Sequence, residues 1–297
     1  MNEGKSRGLS ERVSDLILVA VCLCVALIVA YPLYYVVVAS VSNPYDVYAG
    51  KTFLFPSEFT LDGYFAVFED KNILSGLLNS IKYTIIGTLF SVAMVYLVAY
   101  PLSQENMPGK KFLSIFFVIT MYFGGGLIPT YLVVKNTGLM GSMWALFIPG
   151  GVAVGNMIIV RNYIETNIPK ELIEAAKIDG ASHLKIFWKM ILPLSRPIMA
   201  VMVVFSMVAY WNDWFTALIY LSPDQAPLPL VLRNILIRSS ASAAQASTIS
   251  GGYAELNKLT EMLKFSSMIV AAAPMLLIYP FVQKYFEKGF MAGAVKG

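Results

Sequence analysis

Two short polar stretches carry most of the chemistry that this otherwise apolar chain offers. The first runs from Asn167 to Pro197 and reads NIPKELIEAAKIDGASHLKIFWKMILPLSRP. It sets carboxylates at Glu174 and Asp179 around two small residues, Ala175 and Ala176, and a glycine, Gly180. Small side chains let a foreign surface come close to the backbone, and exposed carboxylates suit a basic partner, so the chemistry is that of docking. The second stretch is Tyr210-Trp211-Asn212-Asp213-Trp214-Phe215. An ionisable group inside a hydrophobic run is costly and usually faces a cavity or a partner. Trp211 and Trp214, three apart, would share a helix face, and flat aromatic rings suit the apolar face of a sugar. The alternative for Asp213 is a place near the outer interface, within an aromatic belt.

Catalytic patterns are missing. No G-x-x-x-x-G-K-[ST] segment is present, so the chain is not expected to hydrolyse ATP itself. The single histidine, His183, has no cysteine or carboxylate cluster at metal-ligand spacing, and no metal or other cofactor is expected in this chain. Cys22 and Cys24 lie two apart in an apolar run, where a helix holds them on different faces, so they read as small apolar fillers rather than a disulfide.

These stretches must be positioned by membrane helices. The 297 residues are 57% hydrophobic and only 13% charged, with a mean hydropathy of +0.66; an ordinary soluble domain carries about 25% charged residues. Six runs approach the roughly 20 apolar residues that cross a bilayer. They lie near Leu16 to Val41, Ser80 to Leu102, Phe112 to Val134, Met143 to Ile159, Ile198 to Leu221 and Ser266 to Gln283. The first is too long for a cleaved signal peptide and reads as a retained anchor. Well over half of the 22 Lys and Arg fall in the two tails, beside Lys110 and Lys111, and in the Asn167 stretch. By the positive-inside rule both termini and that stretch are expected to be cytoplasmic. No basic stripe with interleaved aromatics suggests nucleic acid.

Within the polar stretch, Pro169 starts a helix over Lys170 to Ile178, Gly180 stops it, and Ser182 starts a second. Leu184, Phe187, Trp188 and Ile191 then recur at helical steps as one apolar face, and Pro193 and Pro197 end the helix. The result is a helix-turn-helix outside the bilayer. From its residues alone it could also be an interfacial hairpin without a partner.

Glu174-Ala175-Ala176, Asp179-Gly180-Ala181, Phe187, Ile191-Leu192-Pro193-Leu194 and Pro197 together resemble the EAA loop of binding-protein-dependent ABC importer permeases. The likeness is to the maltose and oligosaccharide branch, and within it to permeases for sugars derived from complex polysaccharides. The resemblance implies an all-α membrane protein of the type I ABC importer permease fold, with six transmembrane helices and a cytoplasmic coupling helix-turn-helix. It implies a tail over 1–15, a permease domain over 16–286 that includes the 167–197 loop, and a cytoplasmic tail over 287–297. Glu174, Ala175, Ala176, Asp179, Gly180, Phe187 and Pro193 would then contact an ATPase subunit, and Trp211, Asn212, Asp213 and Trp214 would border the substrate pathway. Gly289, Gly293 and Lys296 would reach between ATPase subunits, although the residues alone describe an ordinary frayed terminus. The implied partners are a homologous second permease subunit, two ATPase subunits that hold ATP and Mg, an extracellular or periplasmic solute-binding protein, an oligosaccharide and membrane lipid. The implied location is the bacterial cell membrane, and the chain is no enzyme by itself.

Other features leave alternatives open. The aromatic stretch from Ser42 to Asn79 is an interfacial belt or a rim that meets an external protein. The segment from Ser222 to Phe265, rich in Ser, Ala and Gly over Ser239 to Gly252, is by the resemblance a loop facing the binding protein and from its residues alone a lid or a connector. Gly124-Gly125-Gly126 either bends the third run or permits close packing, and Gly151 with Gly155 forms a GxxxG pattern of low specificity. A secondary transporter or channel would place several ionisable groups or inverted repeats near the midplane, and neither is evident; a membrane scaffold is the remaining class. Co-purification with an ATPase subunit separates the three.

Overall fold

In a computed structural model, residues 9–246, 263–278 and 280 are described. Among them the chain is helical without strands, apart from one isolated antiparallel bridge between Ser42 and Phe59. In chain order the helices are α1 (Leu9–Ser40), α2 (Pro44–Tyr48), α3 (Asp62–Glu69), α4 (Lys71–Ser103), α5 (Lys110–Tyr122), α6 (Leu127–Asn136) and α7 (Trp144–Phe147). There follow α8 (Val154–Asn167), α9 (Lys170–Ile178), α10 (His183–Leu194), α11 (Arg196–Trp211), α12 (Phe215–Tyr220), α13 (Leu228–Ala246) and α14 (Leu263–Ile278).

The chain divides into two compact units. The first holds the described residues of Met1–Asp70 and Asn234–Val270. Here α1 exposes its apolar side chains along most of its length, as suits a span bordered by lipid or another subunit. At its end the chain closes into a tight loop. Asn43 caps α2 by accepting from the Tyr45 N–H at 3.0 Å and donates to Glu58 Oε2 at 2.8 Å. Ser266 Oγ donates to the Ser40 carbonyl at 3.2 Å, tying α14 to this corner. Tyr45, Tyr48, Phe53, Phe55, Phe59 and Phe65 stay exposed, while Tyr64 turns inward to Ser40.

The second unit holds the described residues of Lys71–Arg233 and Ala271–Gly297. Its centre is α4, which packs against α8 and α11. Gly76, Ser80, Thr84, Gly87, Thr88 and Ser91 recur along its buried side at three- and four-residue steps. Small residues let membrane helices approach closely where no hydrophobic drive separates protein from lipid. At Gly87 the closeness is measurable: a Cβ there would lie 2.9 Å from both the Phe147 and Tyr210 rings.

Among the described residues two helices, Ser14–Ser40 and Lys71–Ser103, are long and apolar enough to cross a bilayer unbroken. The third and fifth runs differ from simple spans. α5 and α6 meet at 115° across the Gly124–Gly126 break, so the glycines bend the chain as one reading of the sequence has it. The fifth run stops at Trp211 and resumes at Phe215. The fourth run, expected as one helix from Met143 to Ile159, is not one. It forms only α7 before Pro149-Gly150-Gly151 interrupts it, and α8 starts at Val154. Proline and paired glycines both oppose helix continuation, and the gap at Gly151 is filled by the Phe90 ring, 2.7 Å from where a Cβ would stand. Gly151 therefore precedes the helix, and its GxxxG partner Gly155 lies within it. The sixth run forms α14 as far as Ile278, the rest lying largely outside the described residues.

Candidate functional site

The Asn167 stretch folds as a two-helix elbow. α9 covers Lys170–Ile178, as the sequence predicts, and ends in a Schellman motif: the Ala181 N–H bonds the Ala176 carbonyl at 2.9 Å and the Gly180 N–H bonds Lys177 at 3.0 Å. This geometry requires the left-handed φ of +77° at Gly180, which a side chain would strain. Two residues later Ser182 caps α10, its Oγ accepting from the Lys185 N–H. Polar surface and a mixed cap sequence thus make a sharp corner between two short helices.

The underside of the elbow is fastened to the helix bundle. Ile173, Ile186, Phe187 and Ile191 are buried in one cluster with Tyr96, Tyr100, Val160 and Ile164. The Phe187 ring sits 5.5 Å from that of Tyr100, and the Tyr100 hydroxyl lies 3.3 Å from His183 Nδ1. Around an adjacent cavity of about 320 Å³ the Lys170 ammonium donates to the Glu105 carboxylate, and Lys110 donates to Glu165 Oε1 at 3.0 Å. Arg161 Nε stands 3.5 Å from the same Glu165 oxygen. The hydrogen bond and charge of Lys170 hold the Glu105 carboxyl below its usual range, and Glu105 in turn raises Lys170. Both groups are exposed, so this pair contributes little stability.

The outer side is free. Ile178, Leu184 and Trp188 are 87%, 70% and 66% exposed, next to the exposed Glu174, Ala175, Asp179 and Gly180. Ala176 is half-buried and Pro193 exposed. The expected single apolar face on α10 is in fact two: Leu184 and Trp188 point out, Phe187 and Ile191 point in. Pro193 does not end the helix either. A π-helical turn over Phe187–Ile191 precedes it, α10 continues to Leu194, and the 82° bend falls at Ser195. A wide turn is one way to seat a proline ring that would clash with the carbonyl four residues back. The bend is pinned by Ser195 Oγ donating to Ile191 O at 2.6 Å and by the Tyr96 hydroxyl donating to Ser195 O at 3.3 Å.

The second polar stretch forms a break rather than a helix. Asn212 Nδ2 donates to Val208 O at 2.8 Å, closing α11, and Asp213 Oδ1 accepts from the Thr216 N–H at 3.0 Å, opening α12. Asn212 and Asp213 line an open cavity of about 550 Å³ together with Thr130, Asn156, Ser206 and four aromatic residues, Phe205, Tyr210, Phe215 and Tyr220. The two tryptophans are not brought together. Trp211 is buried and donates Nε1–H to the Ala271 carbonyl at 3.2 Å. Trp214 carries the Arg233 guanidinium 4.6 Å above its ring. Neither lines the cavity, because the break at Asn212 removes the helical register that would align them. The aromatic lining from Phe205 and Tyr220 was not singled out in the sequence; a period-3.6 pattern does not say which stripe faces a cavity. Gly289, Gly293 and Lys296 lie outside the described residues.

Residues 94–292 match the family of binding-protein-dependent transport system inner membrane components. The chain belongs to that family and is a membrane permease component of an ABC transport system. It is 40% identical to the polygalacturonan/rhamnogalacturonan transport system permease protein YtcP of Bacillus subtilis, over 97% of this chain and 100% of that protein. It is 37% identical to protein LplC of the same organism, over 92% and 91%. A crystal structure of a bacterial ABC transporter involved in the import of the acidic polysaccharide alginate matches with a TM-score of 0.84 and 28% identity, covering 94% of this chain and 99% of that one. The type I permease-like fold read from the EAA-like residues is borne out.

Proposed function

We propose that this chain is one half of the transmembrane core of an ATP-driven importer, translocating an oligosaccharide delivered by an extracellular or periplasmic solute-binding protein. It pairs with a homologous, non-identical permease subunit, and two ATPase subunits supply the ATP and Mg chemistry. Six segments cross the membrane, several of them as broken rather than continuous helices, both termini are cytoplasmic, and the tail with Gly289, Gly293 and Lys296 reaches the ATPase pair. Asn212 and Asp213 border the pathway. The sugar-related names of the relatives and the alginate importer's fold support this cargo class.

The observation that carries the proposal is the two-sided elbow. Its underside is locked to Tyr96 and Tyr100, while Ile178, Leu184 and Trp188 are left in the open. Full burial of such side chains contributes about 1.5–3 kcal/mol each, a driving force for docking onto a partner's surface. Glu174 supplies a charged contact at the edge of the patch. Docking transmits work only if the ATPase binds the elbow with different affinity in its two nucleotide states.

The test is coupling in proteoliposomes that hold the whole importer. Gly180→Pro cannot adopt the positive φ, and Glu174→Lys inverts the edge charge; each is expected to let ATP hydrolysis continue while uptake falls at least about tenfold, a loss of 1.4 kcal/mol or more in coupling free energy. Wild-type coupling in both variants would refute the elbow's role.

A further inference from the structure

The cavity beside the Asn212 break has a chemical character that narrows what this chain can hold. Its volume of about 550 Å³ falls within the range of small-molecule sites, about 300–1,000 Å³. Phe205 and Tyr220 offer flat apolar faces, and Thr130, Asn156 and Ser206 offer short neutral polar groups. Among the described residues the lining contains a single ionisable carboxylate, Asp213, and no Lys, Arg or His. Asp213 Oδ1 is engaged by the Thr216 N–H, which leaves its second oxygen available to accept from a hydroxyl. The nearby Arg233 is held over the Trp214 ring and takes no part in the lining.

From this placement we infer that the cavity is a sugar subsite selective for an uncharged pyranose unit and against a uronate. The inference rests on the proposed function and deepens it. A pyranose ring stacks its C–H face on an aromatic side chain and donates its hydroxyls outward. A carboxylate accepts such hydroxyls through charge-assisted hydrogen bonds, roughly twice as strong as neutral ones. A uronate carboxylate brought into the same space meets Asp213 with no cation in the lining to offset it, and like charges in a partly dehydrated site repel. Discrimination then comes from the repulsive element as much as from the attractive one. Where a cargo carries both kinds of unit, the acidic ones must be accommodated by other surfaces of the assembled pathway.

The substitution that isolates charge is Asp213→Asn. Asparagine is as good a helix cap as aspartate, so the turn at Thr216 is kept, and co-purification of the full importer verifies assembly. Proteoliposomes holding that importer and its binding protein are given galactotriose and trigalacturonate, equal in length and configuration and different in the C6 carboxylates. Because the binding protein is the same for both variants, its own preference cancels in the comparison. The trigalacturonate-to-galactotriose uptake ratio is expected to rise about tenfold in Asp213→Asn, equivalent to about 1.4 kcal/mol. An unchanged ratio, or an equal fall in both, overturns the subsite while leaving the importer reading intact. ATP-independent uptake by the wild-type assembly would instead overturn the importer reading, and the inference with it.

Discussion

At Gly180 the chain ends a helix in the open, whereas at Asn212 it ends one against a cavity. Both are helix-break-helix corners, and both carry a carboxylate, an aromatic and a small or amide residue. They differ in what the break leaves unsatisfied. The elbow satisfies its own backbone at the corner through the Schellman bonds and the Ser182 cap, and the apolar side chains of Ile178, Leu184 and Trp188 remain uncovered beside the exposed carboxylates of Glu174 and Asp179. The Asn212 break uses side chains, Asn212 and Asp213, to complete the helix ends, and the same two residues line a concave space. A self-contained corner with apolar residues exposed suits a protein surface; a corner finished by side chains beside a cavity suits a small polar ligand.

This contrast can be broken experimentally, most severely at the exposed patch. Ile178→Asp combined with Trp188→Asp places charge where apolar contact is expected. Interface anchors of this type are worth about 2 kcal/mol or more each, so co-purification of the ATPase subunit should be lost while folding of the chain, followed by thermal unfolding in detergent, changes little. Gly87→Ala tests the packing that holds the cavity side together. The new methyl would stand 2.9 Å from Phe147 and Tyr210, and overpacking of this kind costs about 1–3 kcal/mol, read as a lowered melting temperature of the purified importer. Asp213→Ala removes the α12 cap, at a cost near 1 kcal/mol, and should reduce uptake several-fold with assembly retained. The smallest effect is at Lys170→Met. The Glu105 carboxyl is depressed and Lys170 raised, so their mutual stabilisation is present while both are charged. It is lost as pH falls through the depressed Glu105 value and as pH rises through the raised Lys170 value. Screening makes it weak, and a salt titration of thermal stability should merge wild type and variant at high ionic strength.

The elbow was legible because a polar run in an apolar chain is conspicuous and because its start and stop signals, Pro169, Gly180 and Ser182, act locally. The structure places α9 over Lys170–Ile178, where those signals put it. Which of two apolar stripes on α10 has a partner was not legible, since helical spacing gives Phe187 and Trp188 equal standing and only the distant Tyr100 decides between them. The same limit applies to the cavity. Asn212 and Asp213 stood out by their cost in a hydrophobic run, but Trp211 and Trp214 were paired on the assumption of an unbroken helix, and the break itself depends on contacts with Thr216 and Val208. In the fourth run, the interruption signal of Pro149-Gly150-Gly151 is hidden by the length of the apolar stretch around it.

One consequence follows from the length of α4. Its 33 residues make a rod about 50 Å long at 1.5 Å per residue. Tyr96 and Tyr100 near one end grip the bend at Ser195 and the ring of Phe187, and Tyr83 toward the other bonds the Gln225 carbonyl at 3.0 Å. If the rod turns by about 10° about one end, the other sweeps roughly 9 Å by the same helix geometry. On the proposed coupling, a small push at the corner would therefore reach the far end of the rod magnified, as in a crank whose long arm is a single unbroken helix.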